Sequence, residues 1–144
     1  MKRSDTAAHV PPRFEAVHPV LMCRDVPAAV SFYESLGFAL AFPDYAGTTR
    51  YAGVVRDGAE LHLQWHAAAQ FAVPGDRPAY RFLVRGVDAF YAELRDRGAI
   101  PAPVSGGSPW QAPGDTPWGT REFHVRDPSG NVLQFYSLSA PAEQ

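Results

Sequence analysis

The sequence is poor in cysteine: its 144 residues contain one, Cys23. A single thiol cannot form a disulfide within the chain, and the lack of paired cysteines indicates a reducing compartment. Cys23 lies in a strand-like stretch, and nothing in the sequence gives a reason for its activation. We therefore interpret it as a buried structural thiol and not as a nucleophile.

Neither sign of charge is in large excess. Lys plus Arg number 13 and Asp plus Glu number 15, which gives a formal net charge of −2. This balance provides no basic face for a phosphate backbone and no acidic tail. Nucleic acid is therefore not an expected partner.

Long hydrophobic runs are missing, and so are several catalytic signatures. Met1, Lys2 and Arg3 are followed by the polar residues Ser4–Thr6, and no run elsewhere has the length needed to span a bilayer. No G-x-S-x-G motif, phosphate-binding glycine loop or dinucleotide fingerprint occurs in a suitable context. We expect a cytoplasmic protein with no membrane partner.

Twenty residues near the C-terminus carry the strongest structural pattern, Pro117–Tyr136 (PWGTREFHVRDPSGNVLQFY). An alternating strand at Arg121–Arg126, a turn at Asp127–Gly130 and a second alternating strand at Val132–Tyr136 predict a β-hairpin. A weaker copy of this hairpin lies at Tyr51–Trp65 (YAGVVRDGAELHLQW) in the first half of the chain.

The duplication extends to the predicted helices. The segments Val26–Gly37 and Val87–Gly98 have the same length, an offset of 61 residues and helical apolar spacing. Each half therefore reads strand, helix and three strands. We expect a flexible N-terminal arm at 1–13, one domain at 14–138 made of modules 14–66 and 78–138, and a tail at 139–144. Within the second module, the loop 101–117 is expected to border a cleft.

Strand alternation divides the hairpin residues between two faces of a sheet. On the face away from the helix, the first hairpin should present one set of side chains: Tyr51, Gly53, Glu60, His62 and Gln64. For the second hairpin we align Arg126 with Arg56 and take the turn as two residues longer. The corresponding set is then Arg121, Phe123, Val132, Gln134 and Tyr136, and His124 is expected to face the helix.

The modules and four motifs resemble the vicinal oxygen chelate superfamily, which includes glyoxalase I, extradiol dioxygenases, fosfomycin-resistance enzymes and bleomycin-resistance proteins. The motifs are RDVPAAVSFYESLGF (24–38), AGVVRDGAELHL (52–63), VRGVDAFYAEL (84–94) and PWGTREFHVRDPSGN (117–131). The likeness covers residues 15 to 137 and is nearest to the bleomycin-resistance branch. It implies an open, curved sheet around a cleft.

In metal-dependent members of that superfamily, four strand positions, two in each module, point ligands into one cavity. The resemblance places the first of them seven residues before Asp25, at His18, and the offset of 61 places its counterpart at Ala79. The two hairpin positions are His62 and Gln134. Three of the four positions therefore carry a donor side chain, and one is vacant.

This ligand set contains no carboxylate. A catalytic divalent metal generally has at least three protein ligands, and imidazole with carboxylate is the usual combination for iron, zinc or manganese. The amide of Gln134 is a neutral donor that leaves the charge of the ion uncompensated. We expect no cofactor, with a divalent metal (Zn, Ni, Mn or Fe) on His18, His62 and Gln134 as the alternative.

Three further residues bear on the ligand. Trp118 either plugs the end of the core or, as the resemblance implies, lines a ligand groove and stacks on flat aromatic groups. Arg81 stands where the resistance proteins have an aromatic residue, which favours an anionic ligand over a cationic drug. Arg121 either contacts the cavity or pairs with an acid such as Glu60.

We expect an α+β fold in which two βαβββ modules form an open, curved, eight-stranded mixed sheet. We also expect a symmetric homodimer, because small modules need additional burial.

The first functional hypothesis is a non-catalytic protein that sequesters an aromatic or anionic small molecule, with antibiotic resistance as one purpose. The second is a metal-dependent lyase or isomerase of the glyoxalase type. The expected cleft residues are His18, Tyr51, His62, Arg81, Trp118, Arg121, Phe123, Gln134 and Tyr136.

Overall fold

A computed structural model describes residues 10–42, 50–72 and 77–139 of the protein. The first nine residues of the predicted arm and residues 140–144 of the predicted tail lie outside this description. The first module comprises β1 (Val20–Cys23), α1 (Val26–Ser35), β2 (Ala39–Phe42), β3 (Tyr51–Arg56) and β4 (Ala59–Trp65). The second comprises β5 (Ala79–Leu83), α3 (Val87–Asp96), β6 (Gly114–Asp115), β7 (Thr120–Arg126) and β8 (Val132–Leu138), and a short helix, α2 (Ala68–Phe71), precedes it.

The predicted α+β class, the two βαβββ modules and the eight strands are confirmed. The strands are divided between two four-stranded mixed sheets, in the orders β1-β4-β3-β2 and β5-β8-β7-β6. In each sheet the first strand runs parallel to the last strand of its module, and the other neighbours are antiparallel. The pairs Val20–His62 and Arg81–Gln134 are equivalent under the duplication, so the two modules share this register.

Local sequence signals explain where the helices begin and what they bury. The side chain of Asp25 caps α1 by accepting a hydrogen bond from the backbone N of Ala28 at 3.0 Å, and Pro27 occupies the first turn, where its missing N–H costs nothing. The predicted apolar stripes of α1 and α3 face the sheets. Their buried members are Ala29, Tyr33, Leu36, Val87, Phe90 and Leu94. Among the described residues, no helix combines the length and the apolar character that a bilayer crossing requires.

The predicted pairing of the second hairpin is wrong by one residue. In the first hairpin Arg56 pairs with Ala59 across a two-residue turn, whereas in the second Arg126 pairs with Val132 across five residues. The second turn is therefore three residues longer and not two. Because side chains alternate along a strand, a slip of one residue exchanges the two faces of β7.

Two predicted cleft residues consequently lie on the helix side of the second sheet. Phe123 is fully buried, with its ring 5.9 Å from that of Phe90 on α3 and 5.4 Å from that of Phe135. Arg121 donates from Nε to Asp88 at 2.8 Å, and it does not pair with Glu60 as one alternative proposed. His124, expected on the helix side, lies instead on the open face opposite Gln134.

The long turn of the second hairpin docks on the first module through one carboxylate. Asp127 is buried, and its Oδ1 accepts from the backbone N of Ser129 and of Asn131, each at 2.9 Å. Its Oδ2 accepts from the Tyr33 hydroxyl at 2.8 Å and from Asn131 Nδ2 at 2.8 Å. Asn131 Nδ2 also donates to the carbonyl oxygen of Met22 at 2.8 Å. This network joins α1 and β1 to the β7–β8 turn.

Replacing Tyr33 by Phe should lower the free energy of unfolding by about 1–3 kcal/mol, because a buried carboxylate then loses one donor. Urea unfolding followed by circular dichroism measures the loss. The matched control is Tyr91→Phe: among the described residues the Tyr91 hydroxyl accepts only from the exposed Arg95 Nη1, at 3.2 Å, and the substitution should change the stability by less than about 0.5 kcal/mol. Equal effects of the two substitutions would contradict a special role for the Asp127 network.

Candidate functional site

The open face of the first sheet carries a polar and aromatic group that we call the first cluster: His18, Phe42, Tyr51, Glu60 and His62. Glu60 and His62 alternate on β4 with the buried Leu61 and Leu63, and therefore point away from α1. His62 Nε2 lies 2.8 Å from Glu60 Oε2, and His62 Nδ1 lies 2.8 Å from the Tyr51 hydroxyl. His18 Nε2 lies 3.8 Å from the same Glu60 oxygen.

Hydrogen bonding sets the charge state of this cluster. The hydrogen bond from His62 and the neighbouring imidazole of His18 lower the pKa of Glu60, so its carboxyl is ionised near neutral pH. The rings of His18 and His62 stack with centroids 5.0 Å apart, and the Phe42 ring lies perpendicular to that of His62 with centroids 5.2 Å apart. Phe42 fits there because Gly53, opposite His62, has no side chain; a Cβ at this position would collide with the Phe42 ring.

The open face of the second sheet carries a second cluster: Arg81, Trp110, Trp118, Glu122, His124, Gln134 and Tyr136. Its centre is Glu122, which is only 1% exposed. Arg81 approaches the carboxylate with both terminal nitrogens, at 3.2 and 3.3 Å, and His124 Nε2 lies 2.7 Å from Oε1. Thr120 Oγ1 also donates to Oε2, and Trp118 Nε1 lies 3.4 Å from it.

These donors keep Glu122 charged. Burial alone raises the pKa of this carboxyl, but the hydrogen bonds from Arg81, Thr120 and His124 outweigh burial and lower the pKa to about 2. Arg81 also donates to Gln134 Oε1 at 2.8 Å and lies 4.2 Å from the centre of the Tyr136 ring. The charge of Arg81 is thus balanced by Glu122. This balance weakens the preference for an anionic ligand that the sequence predicts from Arg81.

An exposed aromatic surface borders the second cluster. Trp118 is 63% exposed, so it does not plug the core, and its ring lies 6.2 Å from that of Trp110. The Trp110 ring in turn lies 5.7 Å from His124 with an interplanar angle of 33°. Three flat side chains therefore adjoin one another along the loop before β7 and on β7 itself.

The predicted site residues thus fall into three groups. His18, Tyr51 and His62 are together in the first cluster. Four others meet in the second cluster: Arg81, Trp118, Gln134 and Tyr136. Arg121 and Phe123 belong to the other side of the sheet.

Sequence reasoning missed the central role of two carboxylates. Glu60 lies on the predicted face of β4, although the sequence predicts no role for it in the site. Glu122 lies on the face of β7 that the predicted pairing assigns to the helix side. One signal was available: a Glu-x-His triplet occurs twice, at Glu60–His62 and at Glu122–His124. Trp110 lies in a loop without periodic pattern, so nothing in the sequence indicated its position.

The family ligand set implied by resemblance does not assemble within this chain. Gln134 belongs to the second sheet, where its side-chain oxygen accepts from Arg81, and Ala79 offers no donor atom. His18 and His62 instead face a carboxylate of their own module, Glu60. The residues present do not fit a site with two ligands from each module of one chain.

A pocket of about 650 Å³ lies away from the first cluster. It runs between the β3–β4 turn of the first module and strand β5 with α3 of the second, and Arg56, Leu83, Phe90 and Glu93 are among its lining residues. Arg56 crosses it and donates to Glu93 at 2.9 Å. Since Arg81 also lines it, this pocket adjoins the second cluster only at that residue.

Two copies of one βαβββ module, each with a helix on one face of its sheet and polar side chains on the other, define the structural class. The chain belongs to the Glyoxalase/Bleomycin resistance protein/Dioxygenase superfamily, whose family model matches residues 15–135. No curated protein matches the chain.

Several solved structures are similar to this chain. A bleomycin resistance determinant encoded on the transposon Tn5 has 23% identity and a TM-score of 0.70, covering 88% of this chain and 100% of its own. The bleomycin-binding protein of Streptomyces verticillus, solved with copper(II)-bleomycin, has 32% identity and a TM-score of 0.65, covering 90% and 99%. TioX from Micromonospora sp. ML1 has 23% identity and a TM-score of 0.61, covering 90% and 100%.

Glu122→Gln should remove a pH-dependent part of the stability. The folded pKa of about 2 lies below the ordinary 4.5, so the stabilisation is complete above pH 4.5 and is lost as the pH falls towards 2. The depression corresponds to a stabilisation on the order of 3 kcal/mol near neutral pH. We expect the difference in unfolding free energy between wild type and Glu122→Gln to shrink on acidification.

Urea unfolding at a series of pH values from about 5.5 to about 3 measures this difference. The control is Glu34→Gln, which removes an exposed carboxyl of α1 and should leave the pH dependence of the wild type unchanged. A difference between wild type and Glu122→Gln that stays constant across this range would show that the carboxyl is not held ionised in the folded state.

Proposed function

We propose that the protein binds and sequesters a small, flat aromatic molecule on the surface formed by Trp110, Trp118 and His124. The observation that carries the proposal is the exposure of Trp118 beside Trp110, while its indole nitrogen is directed at the buried Glu122. An exposed indole held in this way offers apolar area and a π face at low conformational cost.

The comparisons support this class of ligand. The Streptomyces verticillus protein, at 32% identity over 90% of the chain, was solved with a bleomycin complex. A further solved structure, similar in fold, is a bleomycin-binding protein in complex with bleomycin. Because Arg81 is neutralised by Glu122, we propose an aromatic ligand in preference to an anionic one. Antibiotic resistance is one purpose that such sequestration would serve.

The alternative of a metal-dependent lyase or isomerase has less support. With the ligand set predicted from the sequence, it would require Gln134 to join His18 and His62, and the Gln134 oxygen is engaged by Arg81 at 2.8 Å. We assign no catalytic residue.

Trp118→Ala should weaken the binding of bleomycin, used as the probe, by about tenfold or more, because removal of a stacking indole costs on the order of 1–3 kcal/mol. Isothermal titration calorimetry is the suitable measurement, since the substitution also removes a fluorophore. The matched control is Trp65→Phe on β4, whose ring packs under Arg50 at 4.0 Å and should leave the affinity unchanged.

Either of two results would overturn this proposal. The first is equal affinity of wild type and Trp118→Ala. The second is failure of the wild type to bind bleomycin or any compound of a panel of polycyclic aromatic compounds in the same calorimeter.

We also propose a symmetric homodimer. Strands β1 and β5 are edge strands of their sheets, and they expose Val20 (44%) and Leu83 (64%), with Leu83 lining the 650 Å³ pocket. Unpaired edge strands with exposed apolar side chains are common association surfaces, and modules of this size gain from additional burial.

Gel filtration with light scattering should give twice the mass of one chain for the wild type, and Leu83→Lys should shift the population to the monomer because a charge would be buried at the contact. Val104→Lys, in the exposed loop before β6, is the matched control and should remain dimeric. A monomeric wild type at micromolar concentration would contradict the proposal.

A further inference from the structure

The first cluster contains a ligand arrangement that is independent of the aromatic site. His18, Glu60 and His62 each offer one donor atom, and these three atoms all lie within 4.8 Å of one another. Two imidazoles and one carboxylate form a common donor set for first-row divalent ions in proteins. All three residues come from the first module, whereas the ligand set implied by the family takes two residues from each module.

The charges of the cluster favour a cation. Glu60 has no arginine or lysine partner among its described contacts. Only the two imidazoles approach it, His62 Nε2 at 2.8 Å and His18 Nε2 at 3.8 Å. A divalent ion among the three donors would replace a hydrogen bond and a weak imidazole contact with three coordinate bonds.

The surroundings of His62 are suited to orienting a ligand. Its Nδ1 lies 2.8 Å from the Tyr51 hydroxyl, and the Phe42 ring packs perpendicular to the imidazole with centroids 5.2 Å apart. When Nε2 binds a metal, the proton of the neutral imidazole lies on Nδ1, from which it can be donated to the Tyr51 oxygen. The imidazole stays neutral, so the ring neither gains nor loses a proton in this arrangement. Tyr51 would therefore act as a positioning residue that fixes the orientation of the imidazole.

The second Glu-x-His triplet provides an internal comparison. Glu122 and His124 have the same spacing and a similar contact of 2.7 Å, but Arg81 occupies both carboxylate oxygens and the carboxyl is 1% exposed. Glu60, at 32% side-chain exposure, has no such competitor among its described contacts and can be reached from solvent. The two triplets thus differ in that Arg81 binds the carboxylate of Glu122, whereas no arginine among the described contacts binds that of Glu60.

We propose that His18, Glu60 and His62 form a binding site for a divalent transition metal of the zinc class, with Tyr51 orienting His62. The hard ions Mg²⁺ and Ca²⁺ are disfavoured because two of the three donors are imidazole nitrogens. Three protein ligands leave at least one coordination position for water or for a donor atom of a small molecule.

The test uses the full chain, freed of metal with a chelator, and titrated with Zn²⁺ and Co²⁺. We expect one ion per chain and visible d–d absorption on Co²⁺ addition, which reports low-coordinate nitrogen and oxygen ligation. Glu60→Gln is nearly isosteric, so it should disturb the packing less than removal of a histidine would. It should weaken the affinity for the ion at least about tenfold. Tyr51→Phe should weaken that affinity by about tenfold.

The matched control is His66→Gln, a histidine just after the same strand but outside the cluster, which should bind the ion as the wild type does. Circular dichroism of each variant separates loss of binding from loss of fold. The proposal is overturned if the wild type binds no ion, if Glu60→Gln and His18→Ala both retain wild-type affinity, or if His66→Gln loses binding to the same extent. Bleomycin titration of Glu60→Gln distinguishes this site from the aromatic one, whose affinity should not change.

Discussion

The contact between the two halves of the structure depends on a buried carboxylate, that of Asp127. Asp127 accepts four hydrogen bonds, three from its own turn and one from Tyr33 of the other module. A carboxylate removed from water in this way is tolerated only when its lone pairs are satisfied, and the donors here come from both copies of the module. The turn geometry and the contact between the modules are therefore mutually dependent: the turn supplies three of the bonds to Asp127, and the other module supplies the fourth. The positions of β7 and β8, and of the second cluster that they carry, follow from this contact.

That dependence explains which parts of the molecule could be predicted from sequence. Capping residues, helical stripes and strand alternation are local signals, so the two modules, the helix faces and the open face of β4 were predicted correctly. The pairing of β7 with β8 was not, because its turn is stabilised by Tyr33 and Met22, about a hundred residues earlier in the chain. No local rule reports such a contact. Glu122 and His124 were consequently assigned to the wrong face or overlooked, while His62 and Gln134, on strands with correct register, were placed on the correct one.

The two open faces show how the same short motif acquires different chemistry. Both contain a glutamate two residues before a histidine, and in both the two side chains are within hydrogen-bonding distance. In the second sheet the guanidinium of Arg81 neutralises the buried carboxylate of Glu122, and this ion pair adjoins aromatic side chains at the surface. In the first sheet the carboxylate meets two imidazoles and stays accessible. A residue equivalent to Arg81 is absent there because the corresponding position in β1 is Val20, which carries no charge.

The unequal turns of the two hairpins have a consequence for how a duplicated gene can diverge. Lengthening one copy by an odd number of codons inverts every side chain of the strand that follows or precedes the insertion, so residues that were interior in one copy become exterior in the other. With Arg126 aligned to Arg56, Glu122 and His124 correspond to Ala52 and Val54, which are buried against the helix side in the first sheet. The odd difference in turn length thus gives the two open faces different sets of functional groups.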